Sequence, residues 1–325
     1  MDRKLQETPG PAPLIISLRI LSIILFAFFI AVAPVRLCLA TEGLESVEGF
    51  QYGNAGGFAL LGDVYRPAGK EKLPGVVIAH GGGFILGFRT QKGLPEFAKR
   101  IAERGYVVFN VDYRLIRDGG MYPNSIADVN CAIRGFKANA ERFNLDAERV
   151  AVLGASAGGY LALMAGFTSG PPYELSGGEC PAGDEDSAVS AIVDYYGLTD
   201  IKMMQEGLAK TLALEFTGKK YDEAPELYAE ASPISHYRNA PPTLMLHGNS
   251  DHQVPVEHSR KLAALMKEAG LPVHLFEFEG ADHGFIVFTE RPPGDRALQL
   301  TLDFLDYHLK GACGNNEDNP FKCGG

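Results

Sequence analysis

The chain has 325 residues, 46% of them hydrophobic and 22% charged, with a formal net charge of −10. That composition is globular, with enough apolar material for a large core, and speaks against a disordered or low-complexity chain. Without the first 40 residues, which carry four basic and two acidic side chains, the charge is −12, and such a surface argues against nucleic acid or anionic membrane as a partner.

Residues 1–40 read as a signal peptide. Arg3, Lys4 and Arg19 precede an apolar run from Ile20 to Ala33 broken only by Ser22, and Cys38-Leu39-Ala40 offers a cleavage site. The run is short for a spanning helix, which needs about 17–25 residues. The expected location is therefore secreted, periplasmic or extracellular; uncleaved, residues 14–33 would serve as a membrane anchor. Past it, VEGFQYGNAGGFALLGDVYRP, Val47 to Pro67, reads as strands broken at glycine.

Beyond it, short β-rich runs at Gly75–Ala79, Tyr106–Tyr113, Arg149–Leu153, Ser190–Tyr195, Pro242–Leu246 and Val273–Glu279 alternate with helical stretches. The alternation predicts an α/β fold with a mostly parallel central sheet flanked by helices, in one domain over residues 41–310. His80-Gly81-Gly82-Gly83-Phe84 follows the first of these runs, and Asp112, Tyr113 and Arg114 stand at the end of the second as structural residues. The helix-like stretch Ile126–Phe143 carries Cys131.

VLGASAGGY, Val152 to Tyr160, is the most informative segment. If Arg149–Leu153 is a strand and Ala157–Phe167 a helix, Ser156 sits on a sharp, strained turn with its hydroxyl exposed. Gly154 and Gly158 would flank that turn where a Cβ would collide. By composition alone the Gly-x-Ser-x-Gly pattern is expected roughly 0.2 times in such a chain, so the motif needs partners. Asp251 lies in a loop just past the Pro242–Leu246 run, where open α/β sheets collect ligand-handling residues. His283 lies on the loop after the strand PVHLFEFE.

The order Ser156, Asp251, His283 is that of a hydrolase triad in which histidine removes the serine proton and the carboxylate fixes the ring. The N–H groups of Gly82, Gly83 and Ala157 are the candidate donors to the oxyanion. His252 and His258 are expected at the surface, and His80 is expected to shape the glycine loop. Asp282, adjacent to His283, can hardly reach the far nitrogen of that ring.

HGGGF, GASAGG, the Asp112–Leu115 segment, the GNSDHQVP loop and the ADHGF loop together resemble the α/β-hydrolase esterases, near the hormone-sensitive-lipase-like group and the feruloyl and acetylxylan carbohydrate esterases. The resemblance covers about residues 45–310. It implies the α/β-hydrolase fold and cleavage of carboxylic esters through an acyl-enzyme, with acetyl or feruloyl esters on plant polysaccharide as candidate substrates. Two departures favour the carbohydrate-esterase branch. Ala155 stands where the lipase-like group usually has Asp, and residues 41–65 leave no room for an N-terminal helical cap.

A helical insertion at about 199–237 is expected instead to cap Ser156. Phe84, Tyr195 and Phe285 are candidate substrate-binding residues, with Tyr196 and Phe216 as further aromatics near the pocket. No metal or organic cofactor is expected. The four cysteines after residue 40 suit an oxidising compartment, with Cys313–Cys323 stapling an irregular tail at 311–325 and Cys131 as a buried thiol. An amide or peptide hydrolase of the same fold, or an inactive binding protein, are the alternatives, although all three triad positions are filled.

Overall fold

A computed structural model describes residues 37–38, 43–168, 178–288, 292–314 and 319–322. By its contacts the chain divides into two compact units, 1–34 and 35–325. The first unit lies outside the described residues, and so do the proposed anchor and most of the expected signal peptide. No helix among the described residues is long and apolar enough to cross a membrane.

The second unit is built on one sheet of ten strands. These are β1 (Leu37–Cys38), β2 (Leu44–Ala55), β3 (Phe58–Pro67), β4 (Leu73–Ala79), β5 (Val107–Val111), β6 (Leu145–Ala155), β7 (Gly178–Glu179), β8 (Ala191–Tyr195), β9 (Thr243–Gly248) and β10 (Val273–Phe278). Their order is β1-β2-β3-β5-β4-β6-β8-β9-β10, with β7 paired to β2. From β5 to β10 every neighbouring pair is parallel, whereas β1, β2, β3 and β7 pair antiparallel. Backbone pairing of Leu37–Cys38 with Ser46–Val47 puts two residues of the expected signal segment in this sheet.

Strand character follows from the sequence. The VVIA, VVFNV, VAVL and AIVDY runs are buried on both faces, as central parallel strands between two helical layers must be. The helices are α1 (Leu94–Glu103), α2 (Asn124–Ala138), α3 (Ala140–Phe143), α4 (Ala157–Phe167), α5 (Gly207–Thr217), α6 (Pro225–Glu230), α7 (Glu257–Glu268) and α8 (Gly294–Lys310). The helical stretch expected at 126–143 is interrupted at Asn139, which joins α2 to α3. Helix α4 is apolar all round and almost wholly buried, the pattern of a central helix.

The Asp112–Arg114 segment is structural. Arg114 makes a buried, two-pronged ion pair with Asp128 of α2. Asp112 and Asp63 together grip Arg89, whose backbone also bonds Asp112 and Asn110. This clamp fixes the far end of the loop that starts at His80.

Cys131 is not a free thiol: it is bonded to Cys180, 49 residues away. The antiparallel pairing of β7 with β2 carries Cys180 onto α2, a long-range contact that no local pattern announces. Cys313 is also in a disulfide, while Cys323, its expected partner, lies outside the described residues. Closing a loop of this length stabilises by about 2–4 kcal/mol through the unfolded chain. The double variant Cys131→Ala/Cys180→Ala should melt several degrees lower in calorimetry and keep its turnover, since neither cysteine lines the cavity described below.

Candidate active site

The residues singled out by their chemistry converge at the carboxyl ends of the parallel strands, where such sheets place their sites. His80 follows β4, Ser156 follows β6, Tyr196 follows β8, Asp251 lies three residues past β9, and His283 five past β10.

Ser156 occupies φ 57°, ψ −120°, a conformation that costs a non-glycine residue about 1–3 kcal/mol. The surroundings impose it. A Cβ on Gly154 would overlap the Gly158 carbonyl, and a Cβ on Gly158 would overlap the carbonyls of Ala79 and His80. Helix α4 can thus start directly against the ends of β4 and β6 only because both positions are glycine. The Ser156 N–H is tied to Tyr195 O at 2.8 Å, and its carbonyl accepts from Tyr160 N at 3.0 Å.

Ser156 Oγ lies 2.9 Å from His283 Nε2, and His283 Nδ1 lies 2.7 Å from Asp251 Oδ2. The facing carboxylate requires the proton on Nδ1, which leaves Nε2 as the acceptor for the serine hydroxyl. Asp251 Oδ1 accepts from the N–H groups of Gln253 and Val254, both at 2.8 Å. Burial alone would push the Asp251 carboxyl up, yet hydrogen bonds from His247, His283 and Val254 hold it well below the usual carboxylate range. It therefore stays ionised. Such a chain can draw the serine proton to His283 while the carboxylate stabilises the imidazolium.

The acid and base loops are also joined by their backbones. Ser250 N donates to Ala281 O at 3.1 Å, and Asp282 Oδ1 accepts from the N–H groups of both His252 and His283. Asp282 is thus a clip between the loops and does not bond the His283 ring.

The glycine loop completes the floor. His80, buried, bonds Gly81 O through Nδ1 at 2.8 Å and stacks on Tyr113, whose hydroxyl donates to His80 O. Gly82 and Gly83 have φ 128° and 61°, accessible to glycine. A Cβ on Gly82 would overlap the Leu86 carbonyl. Among the described residues no protein acceptor is recorded for the N–H of Gly82 or Gly83. Ala157, as the first residue of α4, has an N–H with no acceptor within the helix. These donors lie in the walls of one cavity with Ser156 and His283 or, for Ala157, directly after the serine.

That cavity has a volume of about 990 Å³. Helix α5, within the insertion expected at 199–237, supplies Leu208, Ala209, Leu212 and Glu215 to its wall. Leu212 faces Gly83 across the opening. Three of the large hydrophobics most exposed to solvent, Ile85 (39%), Leu86 (63%) and Leu208 (79%), also line it.

The aromatic expectations are corrected. Phe84, Tyr195 and Phe285 do not line the cavity. Phe84, at φ 63°, turns inward and stacks on Phe216. Tyr195, ending β8, points to the opposite layer and bonds Thr301 on α8. Phe285 packs against Tyr195, Tyr196 and Phe278. Tyr196, the residue just past β8 at φ 44°, lines the cavity instead, 4.7 Å from the His283 ring.

His252 is exposed, as expected, but His258 is buried. The first turn of α7 packs under the insertion, so His258 Nδ1 accepts from the N–H groups of Thr199 and Asp200. Sequence reasoning passed over His247 and the aliphatic residues Ile85, Leu86 and Leu212. Among the described residues no group of three or more His, Cys, Asp or Glu side chains is placed to hold a metal ion.

Burial lowers the His258 pKa to about 4. The unfolded chain takes up that proton below about 6.5 while the folded chain resists to about 4. Stability should therefore fall as pH drops through that window, by up to about 1.4 kcal/mol per pH unit from this group. Urea unfolding of His258→Asn, which keeps an acceptor for Thr199 N–H, should show a shallower pH dependence than the wild type.

Comparisons with known proteins find esterases among the relatives. Esterase LipC of Mycobacterium tuberculosis is 32% identical over 78% of this chain and 64% of its own length. Esterase LipQ of the same organism is 30% identical over 72% and 56%. The chain thus spans about three fifths of the length of these curated relatives. The solved structure of a thermophilic esterase from Thermogutta terrifontis, Est2 with propionate bound, superposes with a TM-score of 0.66 at 29% identity, covering 79% of this chain and 93% of that one. The sequence matches the BD-FAE family over residues 62–266, a span that holds β4 through β9 with Ser156 and Asp251, and the chain is a member of that family with an α/β-hydrolase fold.

Proposed function

We propose that the protein is a secreted serine hydrolase that cleaves carboxylic esters through an acyl-enzyme on Ser156. The observation that carries this reading is the unbroken chain from Ser156 Oγ through His283 to Asp251, at 2.9 and 2.7 Å, beside free backbone donors. In the proposed reaction His283 accepts the serine proton as Oγ attacks the ester carbonyl. The N–H groups of Gly82, Gly83 and Ala157 receive the developing oxyanion. His283 then returns its proton to the leaving alcohol, and water attacks the acyl-serine by the same path.

The names of LipC, LipQ and Est2 support ester over amide chemistry. Secretion is supported by the N-terminal sequence pattern and by the Cys131–Cys180 bond, which suits an oxidising compartment. For the substrate, the sequence resemblance favours acetyl or feruloyl groups on plant polysaccharide. A second reading has its own observation. Ile85, Leu86 and Leu208 line the cavity and are exposed to solvent, and exposed apolar side chains at a binding cavity favour an aliphatic ester.

A fluorophosphonate probe should label the wild-type protein, and Ser156→Ala should lose both labelling and at least about 10³-fold in p-nitrophenyl ester turnover. An unlabelled wild type, or an active Ser156→Ala, overturns the assignment. Acetate or ferulate release from decorated xylan, compared with turnover of p-nitrophenyl esters of increasing chain length, separates the two substrate readings. Cleavage confined to amides would rule out both.

A further inference from the structure

We propose that His247 is a positioning residue for this reaction: anchored on α7 by Ser259, it fixes the Asp251 carboxylate and draws charge from the oxygen that His283 uses. The proposal rests on the reading of Ser156, His283 and Asp251 as the catalytic triad.

His247 is the penultimate residue of β9 and is fully buried. A buried imidazole is costly without partners, and an aliphatic residue would fill a strand position as well. This ring is fully partnered. Nδ1 lies 2.7 Å from Ser259 Oγ, while Nε2 lies 2.8 Å from Val254 O and 3.4 Å from Asp251 Oδ2. A carbonyl and a carboxylate only accept, so Nε2 carries the hydrogen. In the neutral ring Nδ1 is then an acceptor, and the Ser259 hydroxyl donates to it and selects that tautomer.

The Nε2 hydrogen goes to Val254 O, and Val254 N–H in turn donates to Asp251 Oδ1. His247 thereby closes a ring that holds the Asp251 loop in shape. The same N–H edge of the ring lies 3.4 Å from Asp251 Oδ2, the atom that receives His283 Nδ1–H. Donors that share a carboxylate's charge make it less basic, so His247 limits how strongly Asp251 holds the His283 proton. The other ionisable groups facing His247 are Asp194 on β8, Tyr196 just past it, whose ring lies 6.4 Å away, His258 on α7 and Glu277, its register partner on β10. Among the described residues, none of the four hydrogen-bonds the ring.

The test is the pH dependence of kcat and KM for p-nitrophenyl butyrate with full-length wild type, His247→Leu, His247→Gln and Ser156→Ala. His247→Leu should lose about 10- to 100-fold in kcat, the scale of a hydrogen bond to a charged group, with KM within about twofold. Its acid limb should move to higher pH, because Asp251 becomes more basic. His247→Gln, whose amide can place an N–H near the Nε2 position, should restore most of kcat and the wild-type limb.

A His247→Leu enzyme with wild-type kcat overturns the proposal. So does a loss of kcat with the limb unmoved, or moved to lower pH as a displaced carboxylate would give, and so does a Gln variant no better than Leu. If circular dichroism shows that His247→Leu is unfolded, Ser259→Ala decides. It should lower kcat about three- to tenfold with the same direction of shift, and wild-type behaviour there overturns the proposal. An active Ser156→Ala would instead refute the triad itself, independently of His247.

Discussion

The site depends on one close approach: the first turn of α4 lies against the carboxyl ends of β4 and β6. The carbonyls of Ala79 and His80 reach Gly158, and the Gly158 carbonyl reaches Gly154, so neither glycine has space for a Cβ. The chain can make this approach only by bending sharply at Ser156, which holds the serine at positive φ. The strain is offset by the burial of α4, whose apolar surface packs into the core on all sides. The helix is therefore the structural partner of the serine, and its apolar composition belongs to the site as much as the motif does.

The same constraint sets the position of everything else. Once Ser156 is fixed over β6, its neighbours in the sheet decide what can reach it. Strand β4 lies on one side and delivers the His80 loop; β8 lies on the other and delivers Tyr196. Asp251 and His283 come from β9 and β10, in parallel register from Val273 opposite Thr243 to Phe278 opposite Gly248. Both strands end level, and the two loops can bond each other across that end. Gly248 is the close point, with no space for a Cβ against Ala281. The histidine is thus held by backbone contacts before its side chain makes any bond.

Much of this is legible in the sequence because it is local. Six strands were expected from their apolar runs, and all six form. The serine turn, the glycine loop and the acid and base loops follow strands where sheet geometry requires them. What escaped depends on long-range packing. Cys180 meets Cys131 only because β7 adds to the far edge of the sheet. Tyr195 and Tyr196 are adjacent, and it is the turn at φ 44° just past β8 that brings the second of them to the cavity. The helix start at His258 predicts a surface position, but the insertion covers that turn. His247 lies one residue past the Pro242–Leu246 run, and its partners Ser259 and Val254 are met only in the fold.

These errors share a pattern with a chemical meaning. The floor of the cavity is made by backbone: N–H groups, glycines and strand ends, whose placement follows from the sheet. Its roof is made by side chains of α5 and of the Ile85–Leu86 turn, whose placement follows from packing. Charge is divided in the same way. Ala155, at the edge of the floor, brings no carboxylate toward the place where a carbonyl oxygen would become negative. The acidic side chains lining the cavity, Glu206 and Glu215, belong to the insertion and are exposed. A carboxylate beside the developing oxyanion would oppose the donors that stabilise it, whereas one at the exposed rim is screened by solvent. The roof can therefore vary in shape and charge to select an acyl or alcohol group without disturbing the electrostatics of the floor.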